Sequence, residues 1–326
     1  MNFLTQGSRK IRPWIIIAGM VTMFASAEAN AQVPPRFYWK TLQGTNAIPV
    51  IAMSTSGNTN PLDPSRHFDP SASISADVAI SGFAKIMPFW NRAGMLAVLV
   101  PMGRVQGEFI ASRESSSGFG DPMVEFNINL IGPLPIMNLP DLLRYEPGFS
   151  LDLIVDVAFP LGQYDNTQSL NLGLNRWYGR IGTPIVWQLG PWIANRRTTL
   201  EILPSVWFFG DNDDFVGQNL SSDPTFELEA HLTRNFTSTL WGSVDATFIE
   251  SGDATIAGVT ASGSDMTTVG FTLGYQLNES MQLTIGYKST LNNDAASNDL
   301  KLSTFSISLT AGWHRLIEGA NRLQSE

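Results

Sequence analysis

Three histidines, His67, His231 and His314, hold all the imidazole chemistry of the 326-residue chain, and cysteine is absent. Thiol nucleophiles, thiolate zinc sites and disulfides are thereby excluded. His231 falls on the same side of an alternating segment as Glu227 and Glu229, a grouping that suits acid/base or metal chemistry. That segment runs into a short turn at Arg234, which sets the group near a strand end, and the reading is a polar network instead of an active site. His67 lies in a loop beside Arg66 and Asp69, and His314 follows the last regular segment. Asp211, Asp213 and Asp214 offer the clustered oxygens that calcium favours, but no Glu follows at the expected loop position, so they read as solvated loop charges. Gly118 and Gly120 are too isolated to cradle phosphate, and turn chemistry explains them. No catalytic set, cofactor site or metal site is expected, and the chain is not read as an enzyme.

What must position these side chains begins at the N-terminus. Arg9, Lys10 and Arg12 precede an apolar run from Trp14 to Ala25, and Ala29-Asn30-Ala31 follows. This is a signal-peptide pattern with cleavage expected between Ala31 and Gln32. The run is too short for a helix spanning a bilayer, which needs about 20 residues. Removing Arg9, Lys10, Arg12 and Glu28 leaves 17 basic and 28 acidic residues, so nucleic acid is not an expected partner. Charged residues make up 15% of the chain, well below the roughly 25% of soluble domains. Beyond the signal no apolar window is long enough for a membrane helix, and in lipid only helices and closed barrels satisfy every backbone group.

From about Ser73 to Trp313 apolar and polar residues alternate. Ile74, Ala76, Val78 and Ile80 form one such set; Phe149, Leu151, Leu153, Val155 and Val157 another; Phe226, Leu228, Ala230 and Leu232 a third. Comparable sets begin at Leu240, Val269, Met281 and Phe305. A period of two places each set on one face of a strand. The opposite faces are mostly Ser, Thr, Gly, Asn and Asp, which suits a wet lumen better than the Lys- and Glu-rich outside of a soluble sandwich. Short turns at Arg234–Thr237 and Asn278–Ser280 alternate with long polar loops at Gly210–Pro224, Glu250–Met266 and Thr290–Lys301, the latter expected to face outside the cell. Eleven strands count back from Trp313 to Ser73; an even number requires one more at Ile48 to Ser54, despite Pro49. The fold class expected is all-β, an up-and-down transmembrane antiparallel β-barrel of about twelve strands.

The expected organisation is a signal peptide over 1–31, a lumenal or periplasmic segment over 32–46, the barrel over 47–313 and a tail over 314–326. A short helix is expected around Asp141 to Tyr145. With the apolar sets facing out, the inward positions are Asp77, Lys85, Glu125, Asn127, Asn129, Asp152, Asp156, Arg176, Arg180, Glu201, Glu227, Glu229, His231, Asp245 and Lys288. Tyr178, Trp207 and Trp241 add inward aromatic surface. Trp177, Trp187, Phe208, Tyr275, Tyr287 and Trp313 read as interfacial girdles. Acids outnumber bases among the inward charges, which favours cations or neutral solutes in a narrow pore.

Several ordered motifs, Phe37-Tyr38-Trp39-Lys40, Gly57-Asn58-Thr59-Asn60-Pro61, Gly118-Phe119-Gly120-Asp121-Pro122, Pro160-Leu161-Gly162-Gln163-Tyr164-Asp165 and Leu172-Gly173-Leu174-Asn175-Arg176-Trp177, resemble the outer-membrane barrel family described as "putative meta-pathway of phenol degradation". The resemblance spans nearly the whole mature chain. It implies a transporter-like protein linked to catabolism of aromatic compounds, and it carries over no binding residues. One departure concerns the end: many barrels finish on an aromatic residue that the assembly machinery reads, whereas thirteen residues follow Trp313 here. The expected function is passive passage of small hydrophobic or aromatic solutes, with outer-membrane lipid, lipopolysaccharide and the barrel assembly machinery as partners. The alternative is a surface protein whose long loops bind a partner.

Overall fold

The computed structural model describes residues 33–190, 193, 196–291 and 299–319. The expected cleavage point, Ala31 and Gln32, lies outside the described residues. Eighteen strands are present among those described: β1 (Asn46–Gly57), β2 (Ser73–Ile86), β3 (Gly94–Glu108), β4 (Arg113–Phe119), β5 (Met123–Ile131), β6 (Phe149–Ala158), β7 (Tyr178–Gly182), β8 (Ile185–Leu189), β9 (Thr198–Phe209), β10 (Asn212–Phe215), β11 (Gln218–Ser222), β12 (Thr225–Asn235), β13 (Leu240–Glu250), β14 (Ala254–Ile256), β15 (Val259–Ala261), β16 (Asp265–Asn278), β17 (Met281–Thr290) and β18 (Leu302–Trp313).

Each strand of the ring pairs antiparallel with its neighbours, β1 closes on β18 with Asn46 opposite Trp313, and β9 pairs directly with β12. β7 and β8 are two halves of one wall strand between β6 and β9, and β4 pairs with the Met102 to Glu108 half of β3, beyond the end of β5. The break between β7 and β8 falls at Pro184, which has no N–H to give the ladder. Counted this way the barrel has twelve strands, including β1 with its Pro49. Closure leaves no unpaired edge, which is what a strand structure in lipid requires.

The long connections gather at one end, where β10, β11, β14 and β15 build a separate four-stranded sheet. Tight turns gather at the other. There the helix α1 (Leu139–Arg144) follows β5, with Asn138 accepting from the Asp141 N–H and Pro140 in the first turn. Outside, Phe83, Val98, Leu232, Val244, Phe271, Leu273 and Ile285 are exposed, an apolar surface wide enough to need lipid. Trp177, Trp187, Phe208, Tyr275 and Tyr287 are exposed with them.

Two expected lumen positions are corrected. Asp77 and Lys85 stand exposed on the outer face of β2, and their neighbours Ile74, Ala76, Val78 and Ala84 are buried inside. Across β1 to β3 the inner face is itself apolar. Met53, Ile74, Ala76, Val78 and Val105 pack against Leu170 and Leu172 of the connection between β6 and β7. Where both faces are apolar, hydrophobicity alone does not tell lipid from lumen, and packing against an inserted loop decides.

Candidate functional site

The interior is filled from both ends. From the short-turn end, residues 33–45 run inside the barrel before β1 begins. A tight turn at Pro34 to Phe37, with Arg36 at φ 72°, aims successive groups at different wall strands. Val33 N–H donates to Glu229 Oε2 at 3.1 Å, Arg36 N–H to Glu201 Oε2 at 2.7 Å, and Trp39 Nε1 to Glu201 Oε1 at 2.9 Å. The Arg36 guanidinium lies between the Trp39 and Trp241 rings, 4.3 and 4.1 Å from their centroids. Trp241 fits against the wall because residue 274 opposite is glycine; a Cβ there would come within 2.0 Å of the indole. Lys40 forms a buried salt bridge with Asp152, whose other oxygen accepts from Asn129 Nδ2 at 2.8 Å.

From the long-loop end, residues 58–72 fold inward. Asp63 to Arg66 form a turn closed by Arg66 N–H to Asp63 O, and Arg66 adopts a left-handed φ of 56°. Arg176, just before β7, anchors this loop: Nη2 donates to Asp63 Oδ1 at 3.1 Å and to Ser65 Oγ at 3.1 Å, and Nη1 to Ser222 Oγ at 2.6 Å. His67 Nε2 shares the Ser222 hydroxyl at 2.7 Å.

Between the two inserts, the wall from β5 to β16 carries a charged network. Arg180 Nε donates to Asp156 Oδ2 at 2.6 Å, and Trp207 Nε1 to Glu227 Oε2 at 2.7 Å. His231 Nδ1 meets Asp245 Oδ1 at 2.7 Å, and Thr272 Oγ1 donates to Asp245 Oδ2 at 2.6 Å. Buried charges survive only when paired in this way. Glu125, Asp152, Asp156, Arg176, Tyr178, Arg180, Glu201, Trp207, Glu227, Glu229, His231, Trp241 and Asp245 are all buried, and Lys288 lines a small lumenal space with Thr272, Thr284 and Ser308. His231, Ser243 and Thr272 all bond the one carboxylate of Asp245. His314 Nε2 bonds the Gln43 carbonyl at 3.0 Å beneath the N-terminal segment.

Three spaces follow one another along the lumen. A vestibule of about 360 Å³ at the long-loop end is lined by Asp63, Arg66, His67, Phe68, Tyr164 and Arg176 among others. A second, of about 400 Å³, opens at the short-turn end around Arg36, Trp39, Gln276 and Gln282. Between them lies a smaller cavity of about 80 Å³, mostly apolar: Pro49, Ile51, Met53, Ile80, Leu99 and Pro101 form one wall, and Tyr178, Trp207, Arg180 and Glu125 the other. Leu62 and Pro64 cover it from above, Val33, Pro34 and Phe37 from below.

Sequence reasoning missed the inserted charges Arg36, Lys40, Asp63 and Arg66, and the apolar inner wall. The available signal was the absence of any period in 34–46 and the Arg-His and Asp-Pro-Ser runs in what read as an ordinary loop. With Asp77 and Lys85 outside, and these four together with Asp121 and Arg197 inside, the buried and half-buried lumenal set holds nine acids (Asp63, Asp121, Glu125, Asp152, Asp156, Glu201, Glu227, Glu229, Asp245) and seven bases (Arg36, Lys40, Arg66, Arg176, Arg180, Arg197, Lys288). The acidic surplus is therefore half that read from the strands alone.

The inward loop is sensitive to acid. Burial alone would raise the Asp63 carboxyl, but Arg176, His67 and the Ser65 hydrogen bonds outweigh it and hold the group below its usual range. Burial pushes the His67 imidazole down, so the docked loop holds it neutral. Both groups bind more protons when the loop is released. Docking is thus strongest above the ordinary histidine value of about 6.5, weakens as pH falls below it, and weakens further below about 3.9 as Asp63 protonates. Hydrogen exchange of residues 58–72, corrected for intrinsic rates, should rise from about pH 7 to about pH 5. His67→Gln, which keeps a partner for Ser222, should flatten that rise; an unchanged profile would show that His67 does not control docking.

A closed twelve-stranded antiparallel ring with an apolar belt outside and a polar, partly filled interior is an outer-membrane type of β-barrel. The chain belongs to the family described as "Putative MetA-pathway of phenol degradation", whose model matches residues 49–309. Among solved structures, the COG4313 outer membrane channel from Pseudomonas putida F1 is similar at TM-score 0.69 and 17% identity, over 86% of this chain and 100% of that one. The translocator domain of the autotransporter NalP from Neisseria meningitidis reaches TM-score 0.46 at 8% identity, over 83% and 89%. The Pseudomonas putida toluene transporter TodX reaches 0.42 at 9% identity, over 88% and 94%. No curated protein sequence matches the chain.

Proposed function

We propose that this protein is an outer-membrane channel for passive uptake of small hydrophobic or aromatic solutes. The observation that carries the reading is the central cavity: an apolar wall on β1 to β3 faces Tyr178 and Trp207 inside a closed barrel, with a vestibule on either side. An aromatic solute exchanging water for that surface gains roughly 25 cal/mol for each Å² of apolar area buried. Family membership and the fold shared with the COG4313 channel support it. In this reading the mature chain begins at Gln32, the long loops face outside, and the short-turn end faces the periplasm. The external sheet of β10, β11, β14 and β15 supports the second reading, a surface protein whose loops bind a partner.

The deciding experiment is uptake of a labelled monoaromatic by cells with and without the protein, paired with planar-bilayer recording. Faster uptake that depends on the protein is expected; equal uptake in both strains, with no conductance, would leave only the surface-protein reading. Any ion current should favour cations, because acids still exceed bases inside, and Glu227→Gln with Glu229→Gln should weaken that preference. Anion selectivity would reverse the sign assigned to the lumen field.

A further inference from the structure

The inner face of the wall changes character from β16 to β18. Where β5 to β13 carry the charged network, the buried inward side chains here are hydroxyls, Thr268, Thr272, Thr284, Thr290, Thr304 and Ser308. Gly286, Ser306 and Lys288 line the same side. Between this wall and the N-terminal insert lies a space of about 50 Å³, bounded opposite by Val33, Pro34, Ile51 and Met53. A water needs roughly 10–15 Å³ of such space and two to four polar partners, so about three or four fit in file. Thr284 and Ser308 share one bond at 2.8 Å, and a hydroxyl has capacity for more. Thr247 and Thr268 stand opposite each other on β13 and β16, 1% and 2% exposed, and neither Oγ1 has a hydrogen-bond partner among the described residues. The space runs into the short-turn vestibule, since Pro34, Pro35, Ile51, Thr284 and Ser308 line both. Towards the long loops it stops. Leu302, two positions from Thr304 on β18, packs with Ile249, Met266 and Leu300 in a layer nowhere more than 3% exposed. Phe68 of the inward loop lies on that layer and lines the outer vestibule.

We infer that the β16 to β18 side of the lumen is a second route, for water and small neutral polar solutes such as urea, shut at its outer end by the apolar layer of Phe68, Ile249, Met266, Leu300 and Leu302. It does not rest on the aromatic reading above and needs only the closed barrel. Hydroxyls along one side, with apolar groups along the other, replace part of a solute's hydration without holding the solute, which is the balance that permeation requires. An ion would lose more hydration than a single row of hydroxyls restores, so the class is neutral. One apolar layer is enough to stop the passage, because a narrow constriction without polar partners empties of water.

The probe is urea entry into proteoliposomes holding the purified protein, followed by light scattering after osmotic shock. The wild type should pass urea slowly, and Leu302→Ser, which breaks the layer with a hydroxyl, should speed entry about fivefold or more. Met266→Thr breaks it from β16 and serves if the first variant does not fold, as judged by heat-modifiable migration. Adding Ser306→Phe to either variant should return entry to the wild-type rate by filling the space beside Gly286. Adding Leu99→Trp, which fills the apolar cavity instead, should leave the gain intact. Unchanged entry in the folded variants, a gain that survives Ser306→Phe, or one that Leu99→Trp removes would overturn the inference. Cellular uptake of a labelled monoaromatic should be the same in Ser306→Phe as in the wild type, so that failure of the polar route and failure of the aromatic reading are read separately.

Discussion

Replacing Lys40 by methionine is expected to destabilise the protein by about 3–5 kcal/mol, the usual result of leaving one partner of a buried ion pair alone. Both side chains are nearly inaccessible, at 8% and 1%, so solvent offers Asp152 no replacement for the ammonium it loses. Asp152 sits at the junction of three elements: it comes from β6, accepts from Asn129 of β5, and holds the segment that crosses the lumen. Adding Asp152→Asn should recover most of the loss, because the amide still offers Asn129 an oxygen and carries no charge to strand. The check is a double-mutant cycle by urea unfolding in detergent, with a coupling of 1 kcal/mol or more expected for residues in direct contact. Additive losses would mean that the contact contributes nothing and that the N-terminal segment is held by its other bonds, those to Glu201, Glu229 and Asn235 among them.

Arg176→Ala should have its largest effect on the opening at the other end. Arg176 is 2% exposed and joins Asp63 and Ser65 of the inward loop to Ser222 of β11, with Phe209 4.9 Å below its guanidinium. Without it Asp63 is left charged and unpaired, and the same 3–5 kcal/mol is withdrawn from docking of the loop. A loss of about 3 kcal/mol shifts a docked-to-released equilibrium more than a hundredfold. Leu62 and Pro64 then leave the roof of the central cavity, which joins the vestibule. Single-channel conductance should rise several-fold, and the acid response of residues 58–72 should disappear because the loop is already released at neutral pH. Arg176→Lys should fall between the wild type and Arg176→Ala, since an ammonium keeps a charge for Asp63 but cannot also span Ser65 and Ser222 as a planar guanidinium does. A closed channel in Arg176→Ala would move the constriction to the N-terminal segment.

The strands were legible because alternation is dense where β6, β9, β12 and β13 cross the wall. Phe226, Leu228 and Leu232 face out while Glu227, Glu229 and His231 face in, as read from the residues. The first strand was found through parity, since Pro49 weakens its local signal. The same reasoning misplaced Asp77 and Lys85, because β2 is apolar on its inner face and mixed on its outer one. It treated residues 58–72 as an ordinary loop, although Leu62, Ser65 and Arg66 are drawn inside by Arg176, more than a hundred positions later in the chain.

By itself the sequence determined a twelve-stranded barrel: a side-chain period of two is a property of each strand's own backbone, and low charge without a membrane helix leaves closure as the way to satisfy backbone groups in lipid. It also determined the acidic excess within the lumen, because every inward acid of β5 to β13 can be read from its parity. Only the tertiary structure decided which face of β1 to β3 turns inward, where the two inserted segments lie, and that they divide the interior into two vestibules and one apolar cavity. Those features rest on contacts such as Lys40 with Asp152, Arg36 with Glu201, and Arg176 with Asp63. Each joins residues more than a hundred positions apart, and the free energy of such a pair depends on burial and geometry that exist only once the barrel has closed.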